Sequence, residues 1–267
     1  MLGFILIAIT ILTWNTGRMD YTHKPEQNQI LQYLISQDAD VVCLQEVDVY
    51  KDAHYLTLSD VKQALGKKYP YSYLDFSVYN KRHQFGTMVW SKYPLINKQS
   101  IHYETKGNLS NRCDIVVGQD TLRLINNHLE SYSFTFDDIA EVDSMRNYEG
   151  FLSSLKRIKA KWERAVPLRN AQARIVRKEI ENSPYPVIIA GDFNAAEWSY
   201  AYRHISEGLH DAWRELHPWS WGATCEHRGV SVRIDYILST DSLHPIRCSI
   251  PNAVGSDHKP VMATLAW

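Results

Sequence analysis

The stretch Val187-Ile188-Ile189-Ala190-Gly191-Asp192-Phe193-Asn194 begins with four apolar residues, three of them β-branched, and then turns polar. A continuous apolar run of this kind predicts a strand covered on both faces. The polar residues at its end predict a site, because α/β proteins place ligands where their strands run out. Similar runs recur along the chain: Ile9-Thr10-Ile11-Leu12-Thr13-Trp14, Val41-Val42-Cys43-Leu44, Thr87-Met88-Val89-Trp90, Leu122-Arg123-Leu124-Ile125-Asn126 and Ile234-Asp235-Tyr236-Ile237-Leu238. Helical patterns lie between them. Pro25 suits a first helical turn before the stripe Ile30, Leu31, Leu34, Ile35, and Thr57-Leu58-Ser59-Asp60 reads as a capping signature. The longest helical region is expected over residues 134–182, with Asp137, Asp138, Glu141 and Asp143 at its acidic start. Strands interleaved with helices give a layered α/β domain.

Composition sets the outer bounds. The chain has 267 residues, 45% apolar and 22% charged, which excludes a disordered or collagen-like protein. A formal charge of −1 excludes bulk-charge attachment to nucleic acid, though not a local basic patch. Residues 144–183 carry ten Lys/Arg against four Glu, so +6 here leaves −7 on the remainder. Two readings stand: a solvated helix face with Glu–Lys pairs, or a rim attracting a polyanion or an anionic membrane. Cys43, Cys113, Cys225 and Cys248 are far apart and lack zinc spacing, so buried free thiols are expected. Residues 1–12 are almost wholly apolar but too short to cross a bilayer alone, and they lack a signal peptide's basic start and cleavage site. Residues 1–8 are either the remnant of an anchor or part of the first strand. Residues 9–267 are expected to form one domain, because no repeat or linker divides them. Location is left between the cytoplasm and a membrane or cell-envelope setting.

Polar groups collect at the strand ends. Asn15 ends the first strand and Gln45-Glu46 the second. Asn126-Asn127-His128-Leu129 and Gly191-Asp192-Phe193-Asn194 end two others. Arg233 precedes Asp235, and Gly255-Ser256-Asp257-His258 lies near the C-terminus. Phosphoester hydrolysis requires charge neutralisation at the phosphoryl oxygens, an aligned water and help for the leaving oxygen. Oxygen donors such as Glu46 suit a hard Mg²⁺ or Mn²⁺. A carboxylate beside an imidazole, as Asp235 and His258 would be, fixes the tautomer and stabilises the imidazolium.

In this order the motifs Leu44-Gln45-Glu46-Val47, Gly191-Asp192-Phe193-Asn194, Arg233-Ile234-Asp235-Tyr236-Ile237 and Ser256-Asp257-His258 resemble the endonuclease/exonuclease/phosphatase superfamily, with its deoxyribonuclease I-like fold. The resemblance spans essentially the whole chain. It implies a four-layer α/β sandwich of the α+β kind, two mainly antiparallel sheets packed face to face and flanked by helices. It also implies a metal-dependent phosphoesterase using direct attack by water. Glu46 would be the principal metal ligand, Asn15 would support it through its amide oxygen, and Asp257 would join directly or through water. His258 and Asp235 would sit against the phosphate, with Asp192 the competing base, and Asn194 would hold the phosphate or the water. Asn126-Asn127-His128-Leu129 resembles the deoxyribonuclease, phosphatase and sphingomyelinase-like branches rather than the abasic-site endonucleases, which carry tyrosine there.

A phosphodiester is expected ahead of a monoester, with nucleic acid or nucleotide on one side and a lipid or small molecule on the other. Weaker expectations place Arg82 or His83, Arg112 and Trp221 at the substrate. Trp213, Trp219 and Trp221 would either stack on bases or sugars or pack a loop. No obligate protein partner can be inferred. The alternative function is a non-catalytic binding module that keeps the fold.

Overall fold

The computed structural model describes residues 7–105, 107–131, 148–227 and 230–267. The apolar runs form two six-stranded sheets. The first is ordered β13 (His244–Ser249), β14 (Val261–Ala266), β1 (Ala8–Asn15), β2 (Val41–Tyr50), β4 (His83–Ser91) and β3 (Tyr71–Tyr79). The second is ordered β5 (Leu95–Ile101), β6 (Ser110–Val117), β7 (Asp120–His128), β8 (Val187–Asp192), β12 (Asp235–Ser239) and β9 (His210–Asp211). A small hairpin joins β10 (Cys225–His227) to β11 (Val230–Val232). Pairing is antiparallel except for β1 with β2 and β7 with β8. This is the expected sandwich.

Alternation along each strand explains why the runs are apolar on both faces. Val41 and Cys43 turn inward with Ile188, Ala190 and Ile237 into the core between the sheets. Their neighbours Val42 and Leu44 turn outward beneath helices α1 (Gln29–Ser36) and α2 (Leu58–Leu65), against Ile30, Leu31, Leu34, Val61 and Leu65. Val187 and Ile189 likewise meet Ala173, Val176 and Ile180 of α3 (Tyr148–Glu181) and Ala201 and Ile205 of α4 (Tyr200–Ser206). The short helix α5 (Ala212–Leu216) follows β9. All four cysteines are free, and Cys43, Cys113 and Cys225 are buried.

Thr57 caps α2 in the anticipated capping box with Asp60. Helix α1 departs from expectation. It starts at Gln29 under an Asn28 cap whose side chain accepts from the Leu31 N–H, so Pro25 lies in the preceding turn, and Ile35 is exposed. The second strand does not stop at Glu46. It runs on to Tyr50 through a register shift between Leu44 and Val47. The acidic start expected for the long helix lies outside the described residues, and α3 continues through Pro167 to Glu181. Some of its basic residues are paired, Arg177 with Glu181 and Lys159 with Glu163, and its Glu179 pairs with Arg112 of β6. No described helix is long and apolar enough to cross a membrane.

Candidate active site

Strand register assembles half of the site. His128 ends β7 beside Asp192 at the end of β8, and Asp192 lies opposite Asp235, the first residue of β12. The three side chains form one row across adjacent strands, which are spaced by about 4.8 Å. Because β12 runs antiparallel to β8, its beginning, not its end, reaches this edge. Gly191 makes the row feasible. Its φ is +131°, and a Cβ there would lie 2.1 Å from the Asn127 carbonyl oxygen, so no side chain fits.

The other sheet brings Asn15 and Glu46. The bulge in β2 puts Glu46 at φ 51° and turns its carboxylate out of the strand's alternation. The Asn15 amide nitrogen donates to Glu46 Oε1 at 3.1 Å and to Asp192 Oδ2 at 2.9 Å, stitching the two sheets together. Its amide oxygen accepts the Gly17 N–H at 3.1 Å. Asn15 is here a donor that spaces two carboxylates. Ser256 ties the C-terminal loop to this end by donating to the Asn15 carbonyl at 2.8 Å and accepting the His258 N–H at 3.1 Å. The Trp14 indole N–H donates to the His258 carbonyl at 2.8 Å.

His258 is buried, with Nδ1 2.9 Å from Asp235 Oδ2 and Nε2 4.0 Å from Asp192 Oδ2. His128 Nε2 is 3.3 Å from Glu46 Oε1. Ligand atoms of Glu46, His128 and Asp192 lie within 4.8 Å of one another, as do those of Asp192, Asp235 and His258. Asn194, at φ 49°, donates its backbone N–H to Asp192 Oδ1 at 2.7 Å and its amide to Asp192 Oδ2 at 3.1 Å and the Leu129 carbonyl at 3.0 Å. It orients Asp192. Asp257 is exposed and groups with Cys225 and His258.

The electrostatics follow from burial and crowding. Burial raises the Asp192 pKa, and the neighbouring Asp235 charge raises it further, against the pull of His258 and His128. Burial also works against ionised Glu46, but hydrogen bonds from His128 and Asn15 and the imidazolium charges outweigh it and hold the group at about 2. Burial disfavours a charged His258, yet the Asp235 and Asp192 carboxylates raise its pKa well above the imidazole range. His128 is raised in the same sense by Glu46. Two like charges opposed across strands are unfavourable, so the Asp192–Asp235 pair requires cations around it.

The peripheral expectations divide. Arg82 is exposed in the turn before β4, while His83 lines a cleft of about 370 Å³ with Glu46 and His128. Arg112 turns away from the site to Glu179 and Gln99. Trp221 is exposed and stacked on Trp198, with ring centroids 5.6 Å apart, and Trp219 is exposed, whereas the Trp213 indole packs in the loop and donates to the Ser220 carbonyl. Arg233 is structural. It is buried between Asp211 (2.9 Å) and Glu197 (2.9 Å), bracing the loop after Asn194. Arg18 was missed. Gly17, Arg18, Met19 and Asp20 all have left-handed φ, from 46° to 73°, at a cost of about 1 kcal/mol or more for each non-glycine residue. Gly17 after the strand-ending Asn15 was the only signal in the sequence.

The family model described as Endonuclease/Exonuclease/phosphatase family matches residues 12–258. No curated protein matches by sequence. Among solved structures, the chain is similar to an endonuclease/exonuclease/phosphatase from Beutenbergia cavernae, at 16% identity and TM-score 0.68, covering 97% of this chain and 71% of that one. It is similar to truncated TDP2 from Caenorhabditis elegans, at 18% identity and TM-score 0.66, covering 97% of both chains. It is also similar to sphingomyelinase C from Streptomyces griseocarneus, at 17% identity and TM-score 0.61, covering 97% of this chain and 99% of that one.

Proposed function

Because the chain belongs to the Endonuclease/Exonuclease/phosphatase family, we propose that it is a divalent-metal-dependent phosphoesterase, acting on a phosphodiester by direct attack of water. The observation that carries this reading is the convergence of Glu46, His128 and Asp192 within 4.8 Å, joined through Asp192 to Asp235 and His258. The donor set fits a hard cation: an ionised carboxylate, a second carboxylate spaced from it by the Asn15 amide, and an adjoining opposed acid pair. Glu46 would hold Mg²⁺ or Mn²⁺, with Asp192 beside it across the Asn15 amide. Bound there, the ion supplies charge neutralisation at the phosphoryl oxygens and a template for the substrate.

The chain's own groups do the rest. Asp192 is oriented by Asn15 and Asn194 and has a raised pKa, so it suits the role of proton acceptor for the attacking water. His258, held in its cationic form by Asp235, faces the same space and stabilises negative charge on the phosphate. His128 supplies a second imidazole beside Glu46 that can protonate the leaving oxygen, which supports the histidine-type branch. The likeness to a sphingomyelinase C puts lipid phosphodiesters beside nucleotides in the substrate panel. Hydrolysis of bis(4-nitrophenyl) phosphate with Mg²⁺ or Mn²⁺, repeated in EDTA, tests the proposal. Turnover abolished by the chelator is expected. Turnover that persists in EDTA, or none with any divalent ion, would contradict it and favour the binding module.

A further inference from the structure

Beside Glu46 and His128 the cleft continues past groups that the proposed chemistry does not use: Arg18, His83, Val78 and Phe85. Its volume of about 370 Å³ is far more than one phosphate group fills. Asp48, fully buried beneath this wall, accepts from His83 Nδ1 at 2.6 Å and lies 3.6 Å from Arg18 Nε. Arg18 also lies over the Tyr21 ring at 5.9 Å, and His83 stacks on Tyr50 at 5.4 Å. The guanidinium is thus held in place while its side chain stays 56% exposed. A guanidinium presents several donors in a fixed fork suited to phosphate, and here it lies within ion-pair range of Asp48 with no hydrogen bond to it, which leaves its fork open to a ligand.

The backbone is a second, independent observation. Six non-glycine residues have positive φ among the described residues, and five of them are Arg18, Met19, Asp20, Glu46 and Asn194. Glu46 and Asn194 are site residues already. Strain of this kind persists where the surroundings enforce it, and it clusters at functional sites. Arg18 shares that signature, in a turn pinned by fully buried Met19. The structure assigns Arg18, supported by His83 and Asp48, to recognition of a second phosphate on the substrate, next to the one hydrolysed. This rests on the phosphoesterase reading and adds to it a substrate class: phosphodiesters that carry a further phosphate.

Two matched pairs test it. One is a thymidine dinucleotide with and without a 5′-phosphate, and the other is glycerophosphoinositol with and without a 4-phosphate. The phosphorylated member of one pair is expected to have a kcat/KM at least about tenfold higher, the worth of one charge-assisted hydrogen bond. Arg18→Ala should bring that ratio to about one, and Arg18→Lys should restore part of it. Preference confined to the first pair assigns the second phosphate to a nucleotide chain, and preference confined to the second assigns it to a small-molecule headgroup. Equal rates within both pairs, or a ratio that survives Arg18→Ala, would overturn the assignment. Equilibrium binding of the same compounds in EDTA, where no hydrolysis is expected, separates the two readings. Selective binding that Arg18→Ala removes sustains the subsite even if no turnover is found. Equal binding of both members overturns it.

Discussion

At the scale of single residues, the proposed chemistry is tested most sharply at His258. Replacing it with glutamine keeps a polar group of similar size and removes the charge, and kcat should fall by about 10²- to 10⁴-fold. Steady-state kinetics on bis(4-nitrophenyl) phosphate measures this, and a loss of less than tenfold would refute the assigned role. The same residue predicts a pH dependence. Its pKa is raised in the folded protein by Asp235 and Asp192, so the stability it contributes is complete below its unfolded pKa of about 6.5 and is lost as pH rises through the folded value. In EDTA, the melting temperature should therefore fall from about pH 6.5 upward, and more steeply than in His258→Gln. Parallel curves would contradict it. Individual residues also mark where the sequence was legible. Glu46, His128, Asp192 and Asp235 stand out as polar groups at or within strand-forming runs, and His258 through its Ser256-Asp257-His258 motif just before the last strand. Arg112 faces a helix carboxylate instead of the cleft, a distinction the sequence does not carry, because an arginine on a strand reads the same in either setting. Beyond Gly17, nothing in the sequence marks the turn at Arg18, because a left-handed run through Arg18, Met19 and Asp20 contradicts local preference and is imposed by tertiary contacts.

Strand register decides which of these residues meet. The pairing of His128 with Asp192 and of Asp192 with Asp235 turns three distant segments into one row, and Gly191 lets β7 and β8 approach closely enough to form it. Gly191→Ala should destabilise the protein by about 3 kcal/mol or more, from the clash and the positive φ together. Urea unfolding would measure it, and a change below about 1 kcal/mol would refute the close approach. The elements themselves were readable from the sequence because unbroken apolar runs mark strands covered on both faces: Val41 and Cys43 face one core, Val42 and Leu44 the other. What escaped was local. Asn28, not Pro25, starts α1, since a side-chain oxygen that satisfies the Leu31 N–H outweighs a preset φ. The continuation of β2 past Glu46 escaped too, because a bulge leaves the strand intact while redirecting one side chain.

Across the whole molecule, two sheets each carry an incomplete set of groups, and only their face-to-face packing completes it. Asn15 and Glu46 come from one sheet, and His128, Asp192 and Asp235 from the other. The Asn15 amide bridges the Glu46 and Asp192 carboxylates at the seam. This joint origin explains why no single motif defines the function while their order along the chain does. On the proposed reading, a cation would be the group that both halves hold. Titration of the metal-free protein with Mn²⁺, followed by electron paramagnetic resonance, tests that most directly. Saturable binding to the wild type is predicted, weakened at least about a hundredfold in Glu46→Gln, because removing a carboxylate ligand costs more than disturbing its support. Mn²⁺ bound as tightly by Glu46→Gln as by the wild type would contradict the account.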